Sequence, residues 1–247
     1  MSALKVAQPI EACIIDLDGT LVDTLGDFEA ALNQMLAALG RAPVTRAQIA
    51  LMVGKGSEHL IKSVLALDQR APAAIEAKAD AALQAAAWQH YQDAYLRING
   101  LHSRLYPGAA EGLQALAALG LPLACLTNKP TAFARTLLQV MGLAGYFGPV
   151  FGGDAFERKK PDPLPLIETC RALGTAPART LMIGDSSNDA FAARAAGCPV
   201  VLMTYGYNHG EPVQGVEADG LADALTEVAA ALAAHRHNGL QKERRLR

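Results

Sequence analysis

The sequence predicts an α/β fold with a parallel sheet core and an inserted all-helical cap. Three observations carry that expectation. Short apolar runs recur at Ile10–Asp16, Leu121–Thr127, Thr180–Asp185 and Pro199–Thr204, with a weaker one at Pro149–Gly152. Helical patterns separate the later runs. Residues 21–104 break the rhythm with helical periodicity alone, so the expected core is discontinuous, 1–20 with 105–234, and the cap is 21–104.

Each element has a local reason. A strand buried on both faces of a parallel sheet reads as a continuous apolar run, as Ile10–Asp16 does before it ends in Asp16-Leu17-Asp18-Gly19-Thr20. In the cap, Leu25, Phe28, Leu32, Met35 and Leu39 form one helical stripe stopped by Gly40, and the Ala-rich stretch from Ala71 to Ile98 continues helically. Trp88, Tyr91 and Tyr95 share one helical face and are assigned to packing within the cap. Phe133, Leu137 and Met141 mark a core helix, and Pro163–Leu173 and Ser187–Gly197 have helix length. The last segment, 235–247, carries five basic residues and one acidic one and reads as a frayed, solvated tail.

Composition bounds the function. The chain has 247 residues, 51% hydrophobic and 19% charged, enough to bury a core. A formal net charge of -2 gives no field to attract nucleic acid or anionic lipid, so neither is an expected partner. Cys13, Cys125, Cys170 and Cys198 lie too far apart for a zinc spacing and read as reduced thiols. No apolar run approaches the roughly 20 residues that cross a bilayer, and Met1–Pro9 lacks a signal-peptide core, so a cytoplasmic location is expected. The six histidines show no metal spacing, and His102 and His209 read as loop residues. Oligomeric state is not legible, and a homo-oligomer is compatible with the sequence.

In an open parallel sheet, ligands bind beyond the carboxyl ends of the strands, which here are rich in chemistry. The first run ends in Asp16 and Asp18, the second in Thr127 and Asn128, and the third in Asp185, with Asp189 one turn later; Lys160 precedes the helix at Pro163. Two carboxylates ~4 Å apart repel by about 4 kcal/mol at an effective dielectric of 20, so four together require a cation. All-oxygen ligation selects a hard ion such as Mg²⁺. Any one of these residues alone is explained by a helix cap or an Asx-turn. Asp-x-Asp-Gly-Thr also looks like half of a calcium loop, but the later glutamate is missing. Their joint occurrence, each after its own strand, is what a purely structural explanation fails to cover.

Four segments in this order resemble the haloacid dehalogenase superfamily of phosphotransferases. They are Asp16 to Thr24 (DLDGTLVDT), Leu126-Thr127-Asn128-Lys129-Pro130, Lys159-Lys160-Pro161-Asp162-Pro163 and Gly184-Asp185-Ser186-Ser187-Asn188-Asp189. Gly152-Gly153-Asp154 and Tyr205-Gly206-Tyr207-Asn208 resemble its bacterial phosphoglycolate phosphatase group, although Asp162 stands where many of that group have histidine. The resemblance implies a Rossmann-like core and a Mg²⁺-dependent phosphatase for a small phosphorylated metabolite, 2-phosphoglycolate first. It implies Asp16 as nucleophile and Asp18 as general acid and base, with Asp16, the Asp18 carbonyl and Asp185 holding Mg²⁺ and Asp189 in support. Thr127 and Lys160 are implied to hold the phosphate oxygens, with Gly19, Thr20 and Asn128 as further substrate contacts. In the cap, Lys55 of Gly54-Lys55-Gly56-Ser57 is the candidate cation for a substrate carboxylate. The alternatives are another small ester, such as a sugar phosphate or N-acetylmuramate 6-phosphate, and a catalytically silent binding protein on the same fold.

Overall fold

A computed structural model describes residues 6, 8–67 and 76–245, the side chains of 76–80 and 237–245 excepted. Strand β1 (Ala12–Ile15) leads into a ribbon of β2 (Val22–Asp23) paired antiparallel with β3 (Arg104–Leu105). Between the ribbon strands lie α1 (Leu25–Ala38), α2 (Arg46–Ala50), α3 (Ser57–Ala66) and α4 (Glu76–Ile98). Beyond β3 come α5 (Ala109–Ala118), β4 (Leu123–Leu126), α6 (Thr131–Val140), β5 (Val150–Phe151), α7 (Leu164–Leu173) and β6 (Thr180–Gly184). The chain continues through α8 (Ser187–Ala196), β7 (Val200–Met203), β8 (Gly220–Ala222) and α9 (Leu225–Arg245).

Six strands form one parallel sheet in the order β5-β4-β1-β6-β7-β8. Central β1 pairs Cys13 with Leu123 on one side and with Leu181 on the other. Its residues are fully buried because alternate side chains enter different layers. Cys13 and Ile15 pack with Leu113, Leu137 and Val228 of α5, α6 and α9, whereas Ile14 packs with Leu166 and Ala193 of α7 and α8. That two-sided burial explains the unbroken apolar run. The chain moves from β1 outward to β5 and then returns to β6, so the strand order reverses beside β1. A crevice opens there at the carboxyl ends.

The cap has its own apolar cluster, in which Phe28, Leu32 and Met35 of α1 meet Leu60 and Val64 of α3 and Tyr91 and Tyr95 of α4. The Tyr91 and Tyr95 rings stack at 5.3 Å, and Trp88 packs partly against the cluster, in keeping with the packing role expected of that face. Core residues Phe133 and Tyr207 join the same cluster, so the cap is seated on the core through apolar contact.

The structure departs from expectation in three places. The segment read as wholly helical is hung on the β2–β3 ribbon, whose strands of two residues are too short to show alternation. Strand β8 is unannounced because Gly-Leu-Ala has little intrinsic strand preference; pairing with β7 makes it a strand. Helix α9 continues to Arg245, through most of the expected tail, where Leu, Gln, Lys, Glu and Arg are all good helix formers. Arg236 donates to the Leu119 carbonyl at the end of α5 and ties the helix down. The expected helical stretch 71–75 lies outside the described residues. All four cysteines are free and buried, and among the described residues no helix is long and apolar enough to cross a membrane.

Candidate active site

Three carboxylates converge at the carboxyl end of the sheet. Asp16 follows β1, Asp185 follows β6 and Asp189 sits in the first turn of α8; one oxygen from each lies within 4.8 Å of the others, and all three residues are buried. Lys160, from the loop before α7, places Nζ 2.9 Å from Asp16 Oδ1 and 2.6 Å from Asp189 Oδ1, and donates to the Leu126 carbonyl at 2.9 Å. Three carboxylates therefore face one ammonium.

Local hydrogen bonds fix two of the three. Asp185 Oδ1 accepts from the Thr20 hydroxyl at 2.8 Å and Oδ2 from the Tyr207 amide at 2.5 Å. Glycine is required on both sides of this carboxylate, since a Cβ on Gly19 or Gly206 would come within 2.2 Å of it. Asp189 Oδ2 accepts from the amide and hydroxyl of Ser186, at 3.2 and 2.8 Å, closing a capping box on α8. Asp16 Oδ1 is held differently: it is buried, no backbone amide or hydroxyl donates to it among the described residues, and its close polar partner is the Lys160 ammonium.

The electrostatics are those of an anion-rich pocket. Burial pushes the Asp16 carboxyl up to about 6 although Lys160 pulls it down, and Asp189 pushes it further up. Asp185 is held well above its ordinary value by burial first, then by Asp189 and Asp16. Burial alone would lower the Lys160 ammonium, but Asp16 and Asp189 outweigh it and raise it. Such a cluster, all oxygen and in excess over its one ammonium by two negative charges, fits a hard divalent cation such as Mg²⁺.

Asp18 has a partner that the sequence did not announce. Both its carboxylate oxygens accept from Lys129 Nζ, at 3.0 and 3.1 Å. The Lys129 side chain is 1% exposed, and its ammonium lies 4.5 Å from the Phe28 ring centroid and 4.8 Å from that of Tyr95. Lys129 was visible between Asn128 and Pro130, but its role depends on two cap rings remote in the sequence.

Asp16, Asp18, Thr127, Asn128, Lys160, Asp185 and Asp189 all line one small cavity of about 30 Å³, roofed by Gly54, Gly56 and Ser57 of the cap. Three other expected site residues do not line it. Thr20 is buried with its hydroxyl committed to Asp185, Gly19 packs against the same carboxylate, and Lys55 is exposed outside the lining, between two glycines that do belong to it. Asn128 lines the cavity, but its amide protons are engaged by the carbonyls of Gly54 and Lys160. His209, expected in a loop, adopts φ 53° and places Nε2 3.3 Å from Asn188 Nδ2. Tyr207, quoted above only for the resemblance, lines the cavity; its hydroxyl contacts Asp23 and accepts from the Thr24 amide, linking the Asp185 loop to the start of the cap.

Comparison with known proteins accords with this geometry. The family model of the haloacid dehalogenase-like hydrolases matches residues 10–197. Phosphoglycolate phosphatase of Thiobacillus denitrificans is 45% identical over 90% of this chain and 95% of its own length; that of Nitrosospira multiformis is 42% identical over 89% and 94%. Among solved structures, a predicted phosphoglycolate phosphatase from Haemophilus somnus superposes with a TM-score of 0.81 at 30% identity, covering 90% of this chain and 97% of that one. CbbY from Rhodobacter sphaeroides, solved in complex with phosphate, gives 0.75 at 26% identity, covering 91% and 99%. With a family model spanning most of its length and relatives this similar over nearly all of it, the chain belongs to the haloacid dehalogenase-like hydrolases.

Proposed function

We propose that the chain hydrolyses small phosphate monoesters, 2-phosphoglycolate first among them, through a covalent phosphate on Asp16. The observation that carries this is the Asp16 carboxylate: buried, bordering the cavity beside Asp185 and Asp189, with an oxygen whose close polar partner is the Lys160 ammonium. Attack by that oxygen on phosphorus breaks the ester P–O bond and divides one difficult displacement into two. Asp18, two residues on and also lining the cavity, gives its proton to the departing oxygen. It then takes one from the water that attacks phosphorus and releases Asp16. The Thr127 hydroxyl and the Lys160 ammonium face the same space and hold the phosphate oxygens. Mg²⁺ held by Asp16, Asp185 and the Asp18 carbonyl, with Asp189 in support, would offset the repulsion between phosphate and nucleophile.

Two observations support the substrate. The roofed cavity is small, which favours a short leaving group. Relatives named phosphoglycolate phosphatase align over nearly the whole chain, cap included. Buried cysteine thiols outside any disulfide fit a reducing cytoplasmic location. The test is phosphate release from a panel of phosphorylated metabolites with Mg²⁺ present. The highest kcat/KM is expected for 2-phosphoglycolate, and a clear preference for a sugar phosphate would overturn the substrate assignment.

A further inference from the structure

We propose that Lys129 is the specificity determinant of this site, binding the carboxylate of the substrate's leaving group. The preferred substrates are then phosphate esters with a carboxylate on the carbon next to the ester oxygen. The inference rests on the phosphatase reading above and adds a residue and a chemical class to it.

Two cations line the cavity among the described residues, Lys160 and Lys129. Lys160 contacts the Leu126 carbonyl, Asp189 and the nucleophile Asp16, at the end of the cavity assigned to the phosphate. Lys129 is differently placed. Its sole hydrogen-bonding partner among the described residues is Asp18, and the faces of Phe28 and Tyr95 cover much of the rest of its ammonium. Aromatic faces stabilise a cation without fixing its hydrogen bonds, so this ammonium can exchange one carboxylate for another. The exchange is also what the chemistry needs. To serve the ester oxygen, Asp18 must turn from Lys129, and the ammonium then requires another anion, being almost wholly buried. In 2-phosphoglycolate the carboxylate carbon is two bonds from the ester oxygen, so a substrate served by Asp18 brings its carboxylate next to Lys129. Phe28 and Tyr95 belong to α1 and α4, so the cap completes this cation site.

The test compares kcat/KM for 2-phosphoglycolate and for ethyl phosphate, which has a methyl group in place of the carboxylate, in the wild type and in Lys129→Met. Methionine keeps an unbranched stem against the two rings and removes the charge. Any loss acting through Asp18 is common to both esters and cancels in the ratio. The phosphoglycolate to ethyl phosphate ratio is expected to be large in the wild type and to fall about 10- to 100-fold in Lys129→Met. An unchanged ratio in an active variant overturns the Lys129 assignment and leaves the phosphatase reading standing. A variant folded by circular dichroism yet inactive on both esters also overturns it, placing Lys129 in the reaction rather than in selection. If the Met variant does not fold, Lys129→Gln is judged by the same ratio. A wild type without preference between the esters overturns the carboxylate class, and one that hydrolyses neither overturns the phosphatase reading itself.

Discussion

Asn128 and Gly54 are joined across the seam between core and cap, the Asn128 Nδ2 donating to the Gly54 carbonyl at 2.9 Å. The same amide nitrogen donates to the Lys160 carbonyl at 2.8 Å, so one core side chain holds the cap loop and the backbone of Lys160 together. Asn188 adds a second donor to Gly54, at 3.2 Å. The positions of the cap loop and of Lys160 are therefore tied through one side chain, the coupling that a lid needs to exclude water and assemble a site at once.

Asn128→Ala should accordingly be more damaging than Asn188→Ala. The first loses the ties to both Gly54 and Lys160, about 1 to 3 kcal/mol, or roughly a five- to hundredfold fall in kcat/KM. The second loses one tie to the cap and should stay near the lower end. Steady-state kinetics with melting temperatures recorded alongside check this, and equal effects of the two variants would separate cap closure from Lys160 placement.

Asp16→Asn should abolish turnover while keeping the fold. The amide is nearly isosteric but does not attack phosphorus, and it removes one of three mutually repelling carboxylates. Without added metal the variant is expected to melt no lower than the wild type. Appreciable phosphate release, after correction for contamination, would count against a covalent phosphate on this residue.

The seat of the cap depends on Asp27 in the first turn of α1. Its buried carboxylate accepts from the amides of Gly100 and His102, at 2.6 and 2.7 Å, and from the Ser103 hydroxyl. These groups lie between α4 and β3, so Asp27 ties the two ends of the cap insertion together. Asp27→Ala leaves three donors without their acceptor and should destabilise the protein by about 3 kcal/mol or more. Chemical denaturation measures the loss, and a change below about 1 kcal/mol would show that water replaces the carboxylate.

The core and its acidic cluster were legible because both follow from burial. Strand β1 is covered on two faces, so it is apolar throughout, and the polar residues that break such runs, Asp16, Thr127 and Asp185, stand where the sheet opens to ligand. Direction was not legible. Thr20 and Asp185 come from separate segments, and nothing local in the sequence shows that the Thr20 hydroxyl turns to Asp185 rather than into the cavity. Lys55 and Lys129 make the same point in opposite senses: a lysine between two cavity glycines is exposed, while one next to Asn128 lies beneath two cap rings. Short elements escape for another reason, since β8 and the β2–β3 ribbon take their form from pairing rather than from pattern.

The acidic cluster also makes stability depend on pH in a direction that Mg²⁺ should reverse. Asp16 titrates at about 6 in the folded protein against 3.8 ordinarily, because burial outweighs the pull of Lys160, and Asp185 is displaced in the same direction by burial, Asp189 and Asp16. A carboxyl whose folded value is raised keeps a proton that the unfolded chain has already lost. Its contribution is fully present below the unfolded value and is lost as pH rises towards the folded one. For Asp16 that loss amounts to about 3 kcal/mol between pH 3.8 and about 6, with Asp185 extending the decline upward. Metal-free protein should therefore be less stable at pH 7.5 than at pH 5 once the same difference in Asp16→Asn is subtracted. Mg²⁺ binds the ionised carboxylates and so competes with their protons, which makes its stabilising effect grow with pH. At millimolar Mg²⁺ the rise in melting temperature should be larger at pH 7.5 than at pH 5 and should shrink in Asp185→Asn, whose amide is a weaker ligand. Thermal melts of chelator-treated protein, with and without the metal, measure both quantities. A Mg²⁺ shift of equal size at the two pH values would mean that the ion binds away from these carboxylates.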